Sequence, residues 1–159
     1  MYPNNVKKNE KNLPAGAAKE DAVDCGPKPF LVNIDKAAKQ NQNYRRELWT
    51  GSYLQATVMS IPCSGDIGLE LHTDVDQFIR VEDGMGLVEM GRSPKELEFR
   101  QKVDGRYAVF VPAGTWHNVT NIGNRPLKLY TIYAPPHHPK GTVHPTKETA
   151  EQAEKDGHS

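Results

Sequence analysis

Glu70-Leu71-His72-Thr73-Asp74-Val75-Asp76-Gln77 and, further along, Pro112-Ala113-Gly114-Thr115-Trp116-His117-Asn118 are the stretches on which the reading of this chain turns. Residues two apart on an extended strand project from one face, so Glu70 and His72 share a side that Leu69 and Leu71 do not. A buried strand carrying Glu-x-His leaves charge unpaired inside a core unless a cation compensates it. In the second stretch, Pro112 fixes one backbone dihedral and Gly114 permits a sharp approach, which aims His117 inward. Two imidazoles and a carboxylate converging on one point make a metal site, with a ligand set suited to Fe(II) and open to Mn, Co, Ni or Zn.

Outward from these stretches the texture is of short apolar runs broken by turn residues. Residues 30–34, 54–61, 67–72, 78–81, 86–90, 97–99, 107–111 and 127–133 each read as a strand. Turn signals separate them, among them Pro62-Cys63-Ser64-Gly65-Asp66, Glu82-Asp83-Gly84-Met85-Gly86 and Asn121-Ile122-Gly123-Asn124-Arg125-Pro126. Many short strands at regular spacing predict an all-β sandwich or barrel. Helix is expected only near residues 35–39 and in the charged run 146–155, which opens on a capping threonine but has no apolar stripe and is expected to fray.

A chain of 159 residues suits one domain. Residues 1–28 are too poor in large apolar side chains to bury a core and read as an arm, flexible or docked. The barrel is expected over 29–136 and a partly helical tail over 137–159. Lysine plus arginine and aspartate plus glutamate number 20 each, so no global field gathers nucleic acid or an anionic membrane surface. No stretch approaches the roughly 18 apolar residues of a spanning helix, and the N-terminus lacks the apolar core of a signal peptide, so a soluble cytoplasmic protein is expected. Cys25 and Cys63 have no paired spacing and are expected to be free thiols. Exposed sheet edges and the arm suit packing against a second copy, which predicts a homodimer.

The two stretches resemble the paired motifs of the cupin superfamily, over about residues 53–136. Its first motif runs His-x-His, Glu, Gly, and Glu70, His72, Gln77 and Gly84 stand in those places. Its second runs Pro-x-Gly, His, Asn, reproduced by Pro112, Gly114, His117 and Asn121. The glycines that open each motif are displaced, to Gly65 and Gly105. The resemblance implies an antiparallel jelly-roll barrel, or double-stranded β-helix, and a divalent metal held by Glu70, His72, Gln77 and His117. With neutral imidazoles the usual three-His, one-Glu set sums to minus one, and so does this one: the carboxylate has moved. Gln77 then serves as a weak fourth ligand or as a hydrogen-bond donor behind the ligands.

Cupins include dioxygenases, decarboxylases, sugar-phosphate isomerases and binding proteins, so the fold does not choose a reaction. The leading expectation is a metal-binding protein, oxygenase-like, acting on a small polar organic molecule, with Glu70 as either ligand or catalytic base. A sugar-phosphate isomerase is the first alternative, weakened because no Lys and Arg cluster surrounds the motifs and strand alternation turns Arg80 outward. A non-catalytic binding module is the second, because the Gln77 amide has no useful proton affinity. His137, His138, His144 and His158 read as structural, Asp74 and Asp76 as turn residues, and Trp116 as pointing away from the site to pack on the core.

Overall fold

The computed structural model describes residues 23–157; the expected arm before residue 23, and His158, lie outside them. In chain order the elements are α1 (Ile34–Gln40), β1 (Arg45–Thr50), β2 (Gln55–Ile61), β3 (Asp76–Asp83), β4 (Gly86–Gly91), β5 (Phe99–Val103), β6 (Ala108–Val111), β7 (Trp116–Asn121), β8 (Leu127–Ala134), β9 (Val143–His144) and α2 (Lys147–Lys155). A six-stranded sheet in the order β6-β3-β8-β2-β1-β9 faces a three-stranded sheet β5-β4-β7, and every pairing is antiparallel. This is the expected jelly-roll.

The interior is divided along its length. One part is apolar, formed by Met59, Ile61, Ile79, Val81, Val88, Val109, Val119, Leu127 and Leu129 among others. Burying each such side chain contributes about 1.5–3 kcal/mol. The other part is lined by buried polar groups: Arg45 and Glu47 from β1, Gln55 and Thr57 from β2, Gln77 from β3, His117 from β7 and Thr131 from β8. β2 is buried at every position because its outer face is covered too, where Ala56 and Val58 pack with Ala38 of α1 and Leu48.

Two expected strands are absent. Residues 30–33 form no ladder and Ile34 opens α1, because the Asn33 side chain accepts a hydrogen bond from the Lys36 N–H and caps a helix there. Residues 67–72 cross the barrel mouth with only isolated bridges, Asp66 to Thr120 and Glu70 to His117. Conversely, β1 and β7 fall outside the strands expected from apolar runs, since their alternation is carried by polar residues. The flanking segments are also more integrated than arm and tail. Asp24 accepts hydrogen bonds from the N–H groups of Gly26 and Thr50 at 2.9 Å each and Gly141 at 3.1 Å, which binds residues 24–26 to β1 and to the chain after β8. β9 adds a strand beside β1. α2 is held by buried Ala150, a Thr146–Thr149 capping box and the Lys147–Asp66 ion pair rather than by an apolar stripe. Cys25 and Cys63 are free. No helix among the described residues is long and apolar enough to cross a membrane.

Candidate metal centre

Backbone pairing brings the two motif stretches together. Glu70 and His117 exchange both main-chain hydrogen bonds, at 2.9 and 3.0 Å, so their side chains leave directly opposite points. The Gly114 N–H donates to the His72 carbonyl at 2.7 Å, and Asp76 Oδ1 accepts from the Ala113 N–H at 2.9 Å. Gly114 makes this turn at φ of 80°, a backbone region that glycine enters without steric cost. Asp76, expected in the connecting turn, instead opens β3, and its carboxylate is spent on the Ala113 N–H of the second stretch.

The side chains meet behind these turns. Donor atoms of Glu70, His72 and His117 all lie within 4.8 Å of one another. Glu70 Oε2 is 3.3 Å from His72 Nε2 and 3.8 Å from His117 Nε2, and Gln77 Oε1 is 3.0 Å from His117 Nε2. Donors sharing one ion at roughly 2.1 Å stand about 3.0–3.4 Å apart for right-angle and tetrahedral arrangements, so these separations suit one ion with small adjustments. His117 is 1 % exposed. Burial pushes its pKa below the ordinary imidazole value, and neighbouring His72 pushes the same way, against the Thr115 carbonyl and Glu70. A neutral imidazole is the form that ligates a metal.

Hydrogen bonding tests the fit further. His117 Nδ1 lies 2.9 Å from the Thr115 carbonyl, which only accepts, so Nδ1 carries the proton and Nε2 presents its lone pair inward. Gln77 Nε2 donates to Thr131 Oγ1 at 3.0 Å, which leaves Oε1 facing the His117 lone pair. Two acceptors so placed are satisfied by a cation between them. Turned over, the same amide would donate to His117 and accept the Thr131 hydroxyl proton, which satisfies the site without an ion. His72 Nε2 is buried and has no hydrogen-bond partner. The donor set fits a divalent ion.

Of the predicted positions, Glu70, His72, Gln77 and His117 come together, and Asp74 and Asp76 are not part of the group. Trp116 lies on the half-buried outer face of β7, away from the site as expected, but outside the core cluster. The histidines read as structural are closer than expected. His137 sits 4.2 Å from His72 between ring centroids, and His138 lies 4.7 Å from His137 and 5.2 Å from Tyr133. The backbone N–H groups of His137 and His138 both donate to Gln55 Oε1, which folds this proline-rich segment back over the barrel mouth. Arg45 and Glu47 escaped the motif reading altogether. Their signal was a period-two Arg-x-Glu, which in a barrel strand places both on one face.

Comparison with known proteins agrees with this fold. The family model described as "Cupin domain" matches residues 57–133. The Bacillus subtilis (strain 168) protein YrkC is 53% identical over 156 residues, covering 96% of this chain and 84% of that protein. The crystal structure of BH2720 from Bacillus halodurans superposes with a TM-score of 0.82 at 59% identity, covering 82% of this chain and 99% of that one. KdgF from Halomonas sp. shares the fold at 17% identity and a TM-score of 0.52, covering 58% of this chain and 80% of that one. Jelly-roll topology, both motifs and these similarities lead to one assignment: the chain belongs to the cupin superfamily.

Proposed function

We propose that this protein is a metal-dependent cupin that acts on a small polar organic molecule in the cytoplasm, with Glu70, His72 and His117 as ligands and Gln77 as a weak fourth. The observation that carries this reading is the convergence of one carboxylate and two imidazoles within 4.8 Å, two of the three buried. Two imidazoles and one carboxylate with open positions match the ligand chemistry of non-haem Fe(II) oxygenases. A bound divalent ion would supply Lewis acidity and, if iron, dioxygen chemistry. The chain's own residues then do the rest. Thr115 holds the His117 tautomer, Thr131 orients Gln77, and His137 closes over His72. Glu70, as a ligand, is not free to serve as a general base.

The test is metal content with activity as a second readout. Protein purified without chelator is expected to hold about one divalent ion per chain, and His117→Ala to lose most of it while keeping the wild-type circular dichroism. Retention of the metal by folded His117→Ala would reject the assignment. Substrate-dependent oxygen uptake by the iron-loaded protein would support the oxygenase reading, and its absence across small polar acids and alcohols would favour a binding module.

The protein is proposed to act as a homodimer. Phe78, Phe110, Tyr130 and Ile132 form a partly exposed apolar patch on the outer face of the large sheet. Phe110 is 72% exposed and its ring lies 5.1 Å from that of Phe78.

A further inference from the structure

Beyond the candidate metal ligands, the barrel interior holds a guanidinium that lies over the Tyr44 ring at 5.5 Å but has open hydrogen-bond donors. Arg45 is 2 % exposed, and its Nε and Nη1 have no hydrogen-bond partner. Its charged neighbour is Glu70, whose Oε1 lies 3.7 Å from Nη2, too long for a hydrogen bond. Glu47 projects from the same face of β1, yet among the described residues no ion pair joins it to Arg45; it accepts the Thr57 hydroxyl proton instead. An arginine stays charged in a protein interior, and burying it with open donors costs several kcal/mol unless an anion completes the pairing.

Glu70 stands between this guanidinium and the imidazoles. Its Oε1 is turned to Arg45 and its Oε2 to His72 and His117. If Glu70 gives its charge to a divalent ion, Arg45 loses the carboxylate nearest to it, Glu47 stays engaged with Thr57, and the group as a whole becomes cationic. The other side chains near it, His138 with both ring nitrogens unpartnered and His144 with Nδ1 unpartnered, bring no negative charge. The Glu70 side chain keeps 18 % exposure beside half-buried His137, so the group is reached from solvent on the Glu70 side.

From this arrangement we infer that Arg45 anchors the carboxylate of a small acid whose neighbouring hydroxyl or oxo oxygen is directed at the Glu70, His72 and His117 group. A planar carboxylate matches either fork of the guanidinium, Nε with Nη2 or Nη1 with Nη2, in a bidentate charge-assisted pair. One carboxylate separates the two binding features, so the acid and its second oxygen lie on adjacent carbons, as in 2-hydroxy and 2-oxo acids. The second half of this inference rests on the proposed metal site; the first half stands on Arg45 alone.

The experiment compares calorimetric binding of glycolate, acetate and the neutral isostere glycolamide to metal-free and Ni-loaded protein. In metal-free wild type, glycolate and acetate are expected to bind alike and about tenfold or more tighter than glycolamide. With Ni bound, glycolate is expected to gain about tenfold over acetate, since its hydroxyl then has a partner. Arg45→Met should erase the preference for glycolate over glycolamide while leaving nickel stoichiometry at the wild-type value. Arg45→Lys, which keeps the charge but not the fork, should recover part of it and guards against a folding defect in the methionine variant. No preference for glycolate over glycolamide in either form of the wild type would overturn the inference, as would a preference that survives Arg45→Met in folded protein. If wild type holds no nickel yet still prefers glycolate through Arg45, the carboxylate site stands and the metal reading falls.

Discussion

At the scale of single residues, Gln77 decides how strongly this centre holds an ion. Its amide oxygen faces the His117 lone pair at 3.0 Å while its nitrogen is spent on Thr131. An amide oxygen is a neutral donor, so the charge that the ion meets is confined to Glu70. Gln77→Glu places a second carboxylate at the same distance, and the Thr131 hydroxyl can reverse to donate to it. Divalent affinity is therefore expected to rise by about tenfold, read by competition with a chromophoric chelator. Unchanged affinity would put residue 77 outside the ligand sphere. The resemblance already marked this position as unusual, but the partner that orients the amide, Thr131, comes from a strand distant in sequence.

The element that carries most of the interior charge is β1. Arg45 and Glu47 occupy alternate positions, both buried, with Glu47 0% exposed. Burial pushes the Glu47 carboxyl from its ordinary 4.5 up to about 7, against the Thr57 hydroxyl and the Arg45 charge, which favour the ionised form. Between those two values the folded protein keeps a proton that the unfolded chain has released. Stability therefore falls as pH rises across this window, because the native state binds more protons there. Glu47→Gln keeps the acceptor for Thr57 and removes the charge. The variant is expected to show a flatter melting temperature between pH 5 and 8, and to be more stable than wild type at pH 8 by on the order of 2 kcal/mol. Thermal melts at several pH values check this, and parallel curves for the two proteins would contradict it.

For the molecule as a whole, the outer face of the large sheet is covered unevenly. α1 shields β2 through Ala38, Ala56 and Val58, and Tyr130 and Ile132 of β8 pack against that cluster, whereas Phe110 on the edge strand β6 is left 72% exposed. If a second copy covers that face, Phe110→Asp places a charge in the contact and should convert the protein to a monomer, with its melting temperature otherwise maintained. Light scattering after size exclusion reads the mass directly. A wild type that is already monomeric would remove the dimer from consideration.

Local chemistry was enough to indicate the class of fold and to single out the side chains that converge in the candidate centre. Short apolar runs with turn residues between them indicate a sandwich or barrel, the resemblance to cupins narrows this to an antiparallel jelly-roll, and Glu70, His72, Gln77 and His117 were legible because their spacing is local to two short segments. The misreadings share one cause, which is that burial was inferred from apolarity. Residues 30–34 look like a strand, yet the Asn33 cap starts a helix; residues 45–50 have no apolar run and are not among the expected strands, yet they form β1 with Arg45 and Glu47 buried. Only the closed barrel decides such cases. It sets Arg45 against Glu70, and it folds His137 over His72 through the Gln55 side chain. These contacts join residues far apart in the chain, and their energies depend on distance and desolvation, which no local window of sequence contains.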